Sequence, residues 1–105
     1  MEPGLSGKIV FVSGGSRGIG KAIAQAFLEE GAQVAIAARS GEDLEMAREQ
    51  LGHVGIYQGD LTVASERERI FRALVDEYGR IDILVNNVGA SNGGKAMETD
   101  LSLFE

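Results

Sequence analysis

The chain alternates between two kinds of apolar pattern, and the alternation predicts a repeating order of strands and helices. Short, largely apolar runs are typical of strands that are buried on both faces of a parallel sheet. Such runs occur at residues 9–12, 34–37, 54–57 and 81–85. Between them, apolar residues recur three or four positions apart, which is typical of amphipathic helices. We therefore expect four strands that alternate with three helices.

The residues at the ends of these helices set their expected boundaries. The apolar stripe of the first helix consists of Ile19, Ala22, Ile23, Ala26 and Phe27. Gly31 stands where a helix commonly ends in a left-handed residue. Ser40 is an N-cap candidate for the second helix, which Gly52 would close. Thr62 is the corresponding candidate for the third helix, which would end at Gly79.

Alternating elements with short connections predict one α/β domain over residues 1–105. Right-handed crossovers then place the helices on the two faces of a parallel sheet. The expected strand order is 3-2-1-4, which is a partial Rossmann (doubly wound) sheet, about half of the complete fold. The chain contains no repeats and no linker that would divide it into two domains.

Composition narrows the classes of partner. The 105 residues include 16 acidic and 10 basic side chains, and the formal net charge of −6 argues against nucleic acid or anionic membranes as main partners. The chain has no cysteine, which excludes disulfides and thiolate chemistry. Residues 1–8 lack the apolar core of a signal peptide, and no apolar run reaches membrane-spanning length. A cytoplasmic protein is the expectation.

Candidate chemistry is concentrated in residues 13–20, which read S-G-G-S-R-G-I-G between the first strand and the first helix. Glycines allow a tight turn and a close approach of the backbone to a pyrophosphate, because no Cβ stands in the way. The first N–H groups of the following helix have no intrahelical partner, and the helix dipole adds positive potential there. The pattern predicts a site for a phosphate-bearing nucleotide.

A rival motif overlaps this turn. Residues 15–21 fit the first seven positions of a P-loop, G-x-x-x-x-G-K. The next residue is Ala22, so the hydroxyl that would hold Mg²⁺ is missing. The pattern therefore favours a dinucleotide site over a nucleoside triphosphatase site, and no metal site is expected.

Three motifs, taken together, resemble the classical branch of the short-chain dehydrogenase/reductase family. Residues 13–20 are similar to the family's T-G-x-x-x-G-x-G turn, with serine in place of threonine. Asp60 and Leu61, after the third strand, resemble its acidic residue at the adenine pocket. Residues 86–89 read N-N-V-G and resemble its N-N-A-G motif. The resemblance extends from about residue 7 to residue 105.

The resemblance implies a role for each matched residue. The residues that it places at the cofactor are Gly14, Gly18, Ile19, Gly20, Asp60, Leu61, Asn87 and Gly89. The three glycines of the turn would shape it, and the N–H of Ile19 would meet the pyrophosphate. Asp60 would accept a hydrogen bond from the adenine amino group, beside Leu61. Asn87 and Gly89 would border the ribose on the nicotinamide side.

The end of the second strand indicates which dinucleotide is bound. NAD-preferring sites carry an Asp or Glu there, which accepts from the ribose 2′-hydroxyl. This chain has Arg39 and Ser40 instead, with no carboxylate before Glu42. Arg39 is placed to pair with a 2′-phosphate, Arg17 to reach it from the glycine turn, and Ser16 to add a hydroxyl. The sequence predicts NADP(H) over NAD(H).

The catalytic residues that the resemblance implies are not matched. The family uses a tyrosine as general acid/base with a lysine four residues later. Here Tyr57 is followed at that position by Leu61, and Tyr78 by Asp82. We expect the NADP(H)-binding portion of an oxidoreductase that moves hydride between nicotinamide and a carbonyl or alcohol, truncated before the catalytic half and not competent alone.

The fourth predicted strand is apolar, and its free edge is a candidate site for binding another polypeptide chain. Its apolar side chains are those of Ile81, Ile83, Leu84 and Val85. Without a further strand beside it, this edge is expected to bind a second copy of the chain or a complementary chain. Two other interpretations stay open: a non-catalytic nucleotide-binding or interaction module that uses this edge, and a fragment that folds poorly and binds nothing.

Overall fold

A four-stranded parallel sheet organises the computed structural model, which describes residues 5–14 and 16–87. The elements are β1 (Ile9–Ser13), α1 (Gly18–Glu29), β2 (Gln33–Ala38), α2 (Gly41–Leu51), β3 (Val54–Gln58), α3 (Ala64–Tyr78) and β4 (Ile83–Asn86). The strand order is β3-β2-β1-β4, and each neighbouring pair is parallel. The predicted fold class and strand order are confirmed. No helix in the described ranges is long and apolar enough to cross a membrane.

The sheet separates two apolar layers, and β1 lies at its centre with all five residues buried. On one face Val10, Val12 and Ile36 pack with residues of α1 and α2. On the other face Phe11 packs with Ile70 and other residues of α3. Burial of a large apolar side chain stabilises the fold by about 1.5–3 kcal/mol relative to exposure. The predicted two-sided burial of the first strand is therefore what holds both helix layers to the sheet.

Helix α1 has the predicted period, but only part of the expected apolar stripe faces the sheet. Gly20 and Ala24 are its buried residues, whereas Ile19 is 57% exposed and Ala22 is also exposed. Ile23 and Phe27 of the expected stripe pack against the core, so the side of α1 that faces the sheet is that stripe shifted toward Gly20 and Ala24. The physical reason is the close approach of α1 to the end of β1, because only the smallest side chains fit there. Ile19 is left facing away from the core.

The helix boundaries are confirmed at α2 and differ at α3. The Oγ of Ser40 accepts a hydrogen bond from the N–H of Asp43 at 3.2 Å, which is the expected N-cap of α2. The N-cap of α3 is Val63, without a side-chain bond, and the prediction of Thr62 was wrong. The hydroxyl of Thr62 instead donates to the carboxylate of Asp60, two residues before it, at 2.6 Å.

Asp82 joins β4 to β1 where both strands begin. Its Oδ2 accepts from the N–H of Ile9 at 2.8 Å, and its own N–H donates to the Ile9 carbonyl at 2.8 Å. Arg80 pairs with the same carboxylate at 3.0 Å. Burial acts to raise the pKa of Asp82, but the bonds from Ile9 and Arg80 together hold it below its usual value. The clamp sets the register in which Val10 faces Ile83.

Strand β4 is the last strand of the sheet among the described residues, and β1 is its neighbour there. Leu84 and Val85 are buried at 3% and 0% exposure, while Ile81 and Ile83 are half-buried. The apolar side chains of this strand therefore already pack into the two layers. Among the described residues, β4 therefore leaves a backbone edge without a neighbouring strand rather than the apolar surface expected from the sequence.

Candidate functional site

A cleft of about 880 Å³ opens at the carboxyl ends of the strands. It lies beside β1, where the sheet order reverses: the connection after β1 runs to β2 on one side, and the connection after β3 crosses to β4 on the other side. Such a switch point is where open α/β sheets bind ligands. The lining residues are Gly14, Ser16, Arg17, Ala37, Ala38, Arg39, Ser40, Asp43, Gly59, Asp60, Leu61, Thr62 and Asn87.

Most of the residues singled out from the sequence line this cleft. They are Gly14, Ser16, Arg17, Arg39, Ser40, Asp60, Leu61 and Asn87. Gly18, Ile19 and Gly20 form the first turn of α1 beside it. Gly89 and residue 88 lie outside the described residues, so the end of the N-N-V-G motif stays a prediction. Residues from three separate βα connections thus meet in one place.

The glycine turn closes against the start of α1. Gly14 and Gly18 have φ values of +71° and +51°, a region that favours glycine. A Cβ on Gly20 would lie 2.1 Å from the carbonyl oxygen of Gly14 and 2.9 Å from the Nδ2 of Asn87. The N-cap residue Arg17 makes no side-chain capping bond, and the first turn carries no acidic residue. The helix start therefore keeps both its N–H donors and its positive potential for an anion.

A buried hydroxyl ties the glycine turn to the end of β4. Ser13 is 3% exposed, and its Oγ accepts from the N–H of Asn87 at 3.0 Å. The same Oγ lies 3.1 Å from the Oδ1 of Asn86 and 3.3 Å from the Val85 carbonyl, which are acceptors for its proton. The side-chain amide of Asn87 donates to the carbonyl of Gly14 at 3.4 Å. In this arrangement Asn87 braces the turn, a structural contribution that the sequence did not reveal.

Asp60 presents an ionised carboxylate to the cleft. Its Oδ1 accepts from the hydroxyl of Thr62 at 2.6 Å and from the Thr62 N–H at 2.9 Å. These two bonds, in that order, lower the pKa of Asp60 against a small opposing effect of burial, and the charge of Arg39 lowers it further. The N–H of Asp60 donates to Glu66 at 2.6 Å. The loop after β3 is thereby held in place, and a carboxylate is an acceptor only.

The two arginines reach the cleft from different elements. Arg39 follows β2, and its carbonyl accepts from the side-chain amide of Gln58 at 3.1 Å. Arg17 stands at the start of α1, and its Nε donates to the Oδ2 of Asp43 at 2.9 Å. The carboxylate of Asp43 was missed in the sequence, which has no acid at the end of β2 itself. The spacing contained the signal, because Ser40 and Asp43 are three residues apart and share one side of α2.

Comparison with known proteins identifies what this arrangement is similar to. The sequence profile described as short chain dehydrogenase matches residues 8–105. The chain is 44% identical over 98 residues to a rhamnolipids biosynthesis 3-oxoacyl-(acyl-carrier-protein) reductase of Pseudomonas aeruginosa, with 90% of this chain and 38% of that protein covered. It is 39% identical over 94 residues to a 3-oxoacyl-(acyl-carrier-protein) reductase of Vibrio cholerae, with 89% and 38% covered.

A solved structure has the same fold. The crystal structure of L-sorbose reductase from Gluconobacter frateurii, complexed with NADPH and L-sorbose, matches with a TM-score of 0.78 and 35% identity. The match covers 85% of this chain and 36% of that one. The chain spans about 38% of the length of the reductases from Pseudomonas aeruginosa and Vibrio cholerae.

Proposed function

The chain belongs to the short-chain dehydrogenase family, and on that premise we propose that its cleft binds NADP(H) as the coenzyme-binding portion of an oxidoreductase. The observation that carries the proposal is the meeting of the glycine turn, the start of α1 and two arginines on one cleft. When bound, the nicotinamide would donate hydride to a carbonyl carbon in its reduced form or accept hydride from an alcohol carbon in its oxidised form. We propose residues 1–105 as one dinucleotide-binding half-domain.

The pyrophosphate is assigned to the first turn of α1. Gly14 and Gly18 give the turn its left-handed residues, and Gly20 lets the backbone close behind it. The N–H of Ile19 belongs to the first helical turn, whose donors have no partner within the helix. The adenine end is assigned to Asp60 and Leu61, since an ionised carboxylate accepts from an amino group.

The 2′-phosphate is assigned to the wall formed by Arg17 and Arg39. Guanidinium groups bind phosphate through charge-assisted and often bidentate hydrogen bonds. Ser16 and Ser40 line the same cleft, although the Oγ of Ser40 already accepts from the backbone of α2. The end of β2 is Ala38, so no carboxylate of that strand repels the phosphate. The NADPH complex of L-sorbose reductase supports the choice by analogy.

Titration of the purified chain with NADPH and NADH tests the proposal. We expect tighter binding of NADPH, and a hundredfold excess over the Kd would stabilise the folded state by about 2.7 kcal/mol in thermal unfolding. Arg39→Ala should lose about 1.5–3 kcal/mol of NADPH binding with little effect on NADH. The matched control is Arg72→Ala, an exposed arginine on α3 that does not line the cleft. Equal affinity for the two dinucleotides would contradict the NADP(H) preference, and no binding would contradict the whole assignment.

We propose that the 105 residues bind the dinucleotide without reducing a substrate by themselves. The chain has two tyrosines, and neither lines the cleft. Tyr57 donates to the carboxylate of Glu77, and burial, followed by that bond, raises the pKa of Tyr57. Burial and then the charge of Glu77 raise the pKa of Tyr78 as well. A general acid/base of this family needs a lowered pKa instead.

Within residues 5–87, β4 has β1 as its one neighbouring strand, which favours a second role for the chain, as a nucleotide-binding module that docks another polypeptide. We propose that the backbone edge of β4 pairs with a second copy of the chain or with a complementary chain. Reductase activity that appears only when the complementary chain is added would separate the coenzyme-binding portion of an enzyme from a purely interacting module. The cytoplasmic location stays a prediction of the sequence.

A further inference from the structure

The salt bridge between Arg17 and Asp43 lies on the wall that the proposed function assigns to the 2′-phosphate. The Nε of Arg17 lies 2.9 Å from the Oδ2 of Asp43, and both residues line the cleft. Arg17 precedes α1 and Asp43 belongs to the first turn of α2. The pair therefore joins two walls of the cleft, and one of the two proposed phosphate ligands is engaged by a carboxylate.

The two partners differ in how firmly they are held. The side chain of Arg17 is 79% exposed, whereas that of Asp43 is 26% exposed. The N–H of Asp43 also donates to the Oγ of Ser40, so its backbone is fixed at the start of α2. A long exposed arginine changes rotamer easily, but a short side chain on a capped helix turn does not. The carboxylate therefore stays on the cleft wall when Arg17 turns toward another anion.

We propose that Asp43 is a specificity-determining residue that competes with the ribose 2′-phosphate of NADPH for Arg17; the inference rests on the proposed function. A phosphate that pairs with Arg17 must first displace the carboxylate of Asp43 from that guanidinium. NADH carries an uncharged hydroxyl at this position, which does not compete with the carboxylate for Arg17. Asp43 therefore weakens NADPH binding and reduces the preference for NADPH over NADH that Arg17 and Arg39 establish.

Substitution Asp43→Asn tests the inference, because asparagine keeps the size and the backbone N–H while removing the charge. We expect the Kd for NADPH to fall about three- to fivefold, as exposed ion pairs are weak. The Kd for NADH should change by less than about twofold. The matched control is Glu42→Gln, which removes the same charge from the same helix turn at an exposed residue outside the cleft lining. Isothermal titration calorimetry on the 105-residue chain measures all of these constants.

The same substitution, made in the Arg17→Gln variant, shows whether Asp43 acts through Arg17. In Arg17→Gln the gain from Asp43→Asn should shrink to less than about twofold, because the contested guanidinium is gone. Thermal unfolding without ligand shows whether each variant is folded, and Asp43→Gln replaces Asp43→Asn if the asparagine variant is not.

The outcomes separate this inference from the proposed function. Unchanged or weaker NADPH binding by Asp43→Asn, while the unsubstituted chain binds NADPH, would overturn the inference alone. An equal gain in Glu42→Gln would also overturn it, because the effect would then be one of net charge. Failure of the unsubstituted chain to bind either dinucleotide would overturn the proposed function, and this inference with it.

Discussion

Gly20 shows how much one residue decides at this site. It is buried at the start of α1, and a methyl group there would overlap the carbonyl of Gly14 at 2.1 Å. The obstructing atom belongs to the backbone, so no side-chain rotation relieves the overlap. The turn and the helix start can approach each other only because position 20 carries no Cβ.

Substitution Gly20→Ala is expected to lower the free energy of unfolding by about 1–3 kcal/mol and to abolish dinucleotide binding. The reason is that either the turn or the first helical turn must move. Urea denaturation and NADPH titration measure the two effects.

The matched control is Gly41→Ala at the start of α2. A Cβ there would lie 3.1 Å from the Oε1 of Gln58, the end of a flexible side chain that can give way. We expect a change within about 0.5 kcal/mol. Equal losses in the two variants would show that steric closure at Gly20 is not the cause.

At the scale of elements, contacts at the ends of the strands decide how α1 and β4 meet the rest of the sheet. Helix α1 shows its sheet-facing side through Gly20 and Ala24, although Ile19 and Ala22 are as apolar in sequence. Hydropathy distinguishes polar from apolar positions, but closeness of packing depends on residue volume at the contact. At the opposite end of the sheet, Asp82 determines how β4 meets β1.

Acid should weaken the clamp that Asp82 forms. Its pKa in the folded state lies below its usual value, so the ionised form stabilises the fold. This stabilisation is present at neutral pH, above the pKa of the unfolded chain, and is lost as the pH falls through the folded pKa. Urea unfolding at about pH 7 and about pH 3 should show a smaller acid-induced loss for Asp82→Asn than for the unsubstituted chain.

Asp76→Asn is the control for this experiment. Asp76 is an exposed acid on α3 and takes no part in the clamp between the strands. Its substitution should leave the pH dependence of the unfolding free energy close to that of the unsubstituted chain. A loss for Asp82→Asn as large as that of the unsubstituted chain would remove the clamp as a source of the pH dependence.

For the whole molecule, the sheet order sets the position of the cleft and the position of the β4 edge that we propose for a partner. The cleft lies at the switch point beside β1, while β4 stands at the end of the sheet among the described residues. Leu84 and Val85 are already buried there, so association through β4 would use main-chain hydrogen bonds more than apolar surface. Association of this kind is weaker than docking of a large apolar face.

Sedimentation velocity over a range of protein concentrations tests this expectation. We expect the average sedimentation coefficient of the 105-residue chain to increase with protein concentration, because a larger fraction associates. Val85→Pro places a proline in β4, where it cannot donate to a strand ladder, but it also disturbs β1. The control variant is therefore Val75→Lys, at an exposed position on α3, because it leaves β4 intact and should not change the association. A monomer at the highest concentrations would contradict self-association through this edge.

Much of the fold was predictable because its strands and helix ends depend on local sequence patterns. The apolar runs predicted all four strands, and Gly31, Gly52 and Gly79 have the positive φ values expected after helix ends. The Ser40 cap was predictable for the same reason, since a cap bonds to a residue only three positions away. Interactions between residues only a few positions apart can be predicted from the local sequence.

The sequence by itself determined the α/β class, the strand order and most of the residues that line the cleft, since apolar period, capping residues and turn glycines act over a few positions. Tertiary structure alone decided which side of α1 meets the sheet, that Ser13 and Asn87 brace the glycine turn, and that Asp43 holds Arg17. The bond between Arg17 and Asp43 joins residues 26 positions apart, and the bond between Ser13 and Asn87 joins residues 74 positions apart. Their formation depends on distances across the folded sheet, which no local pattern specifies.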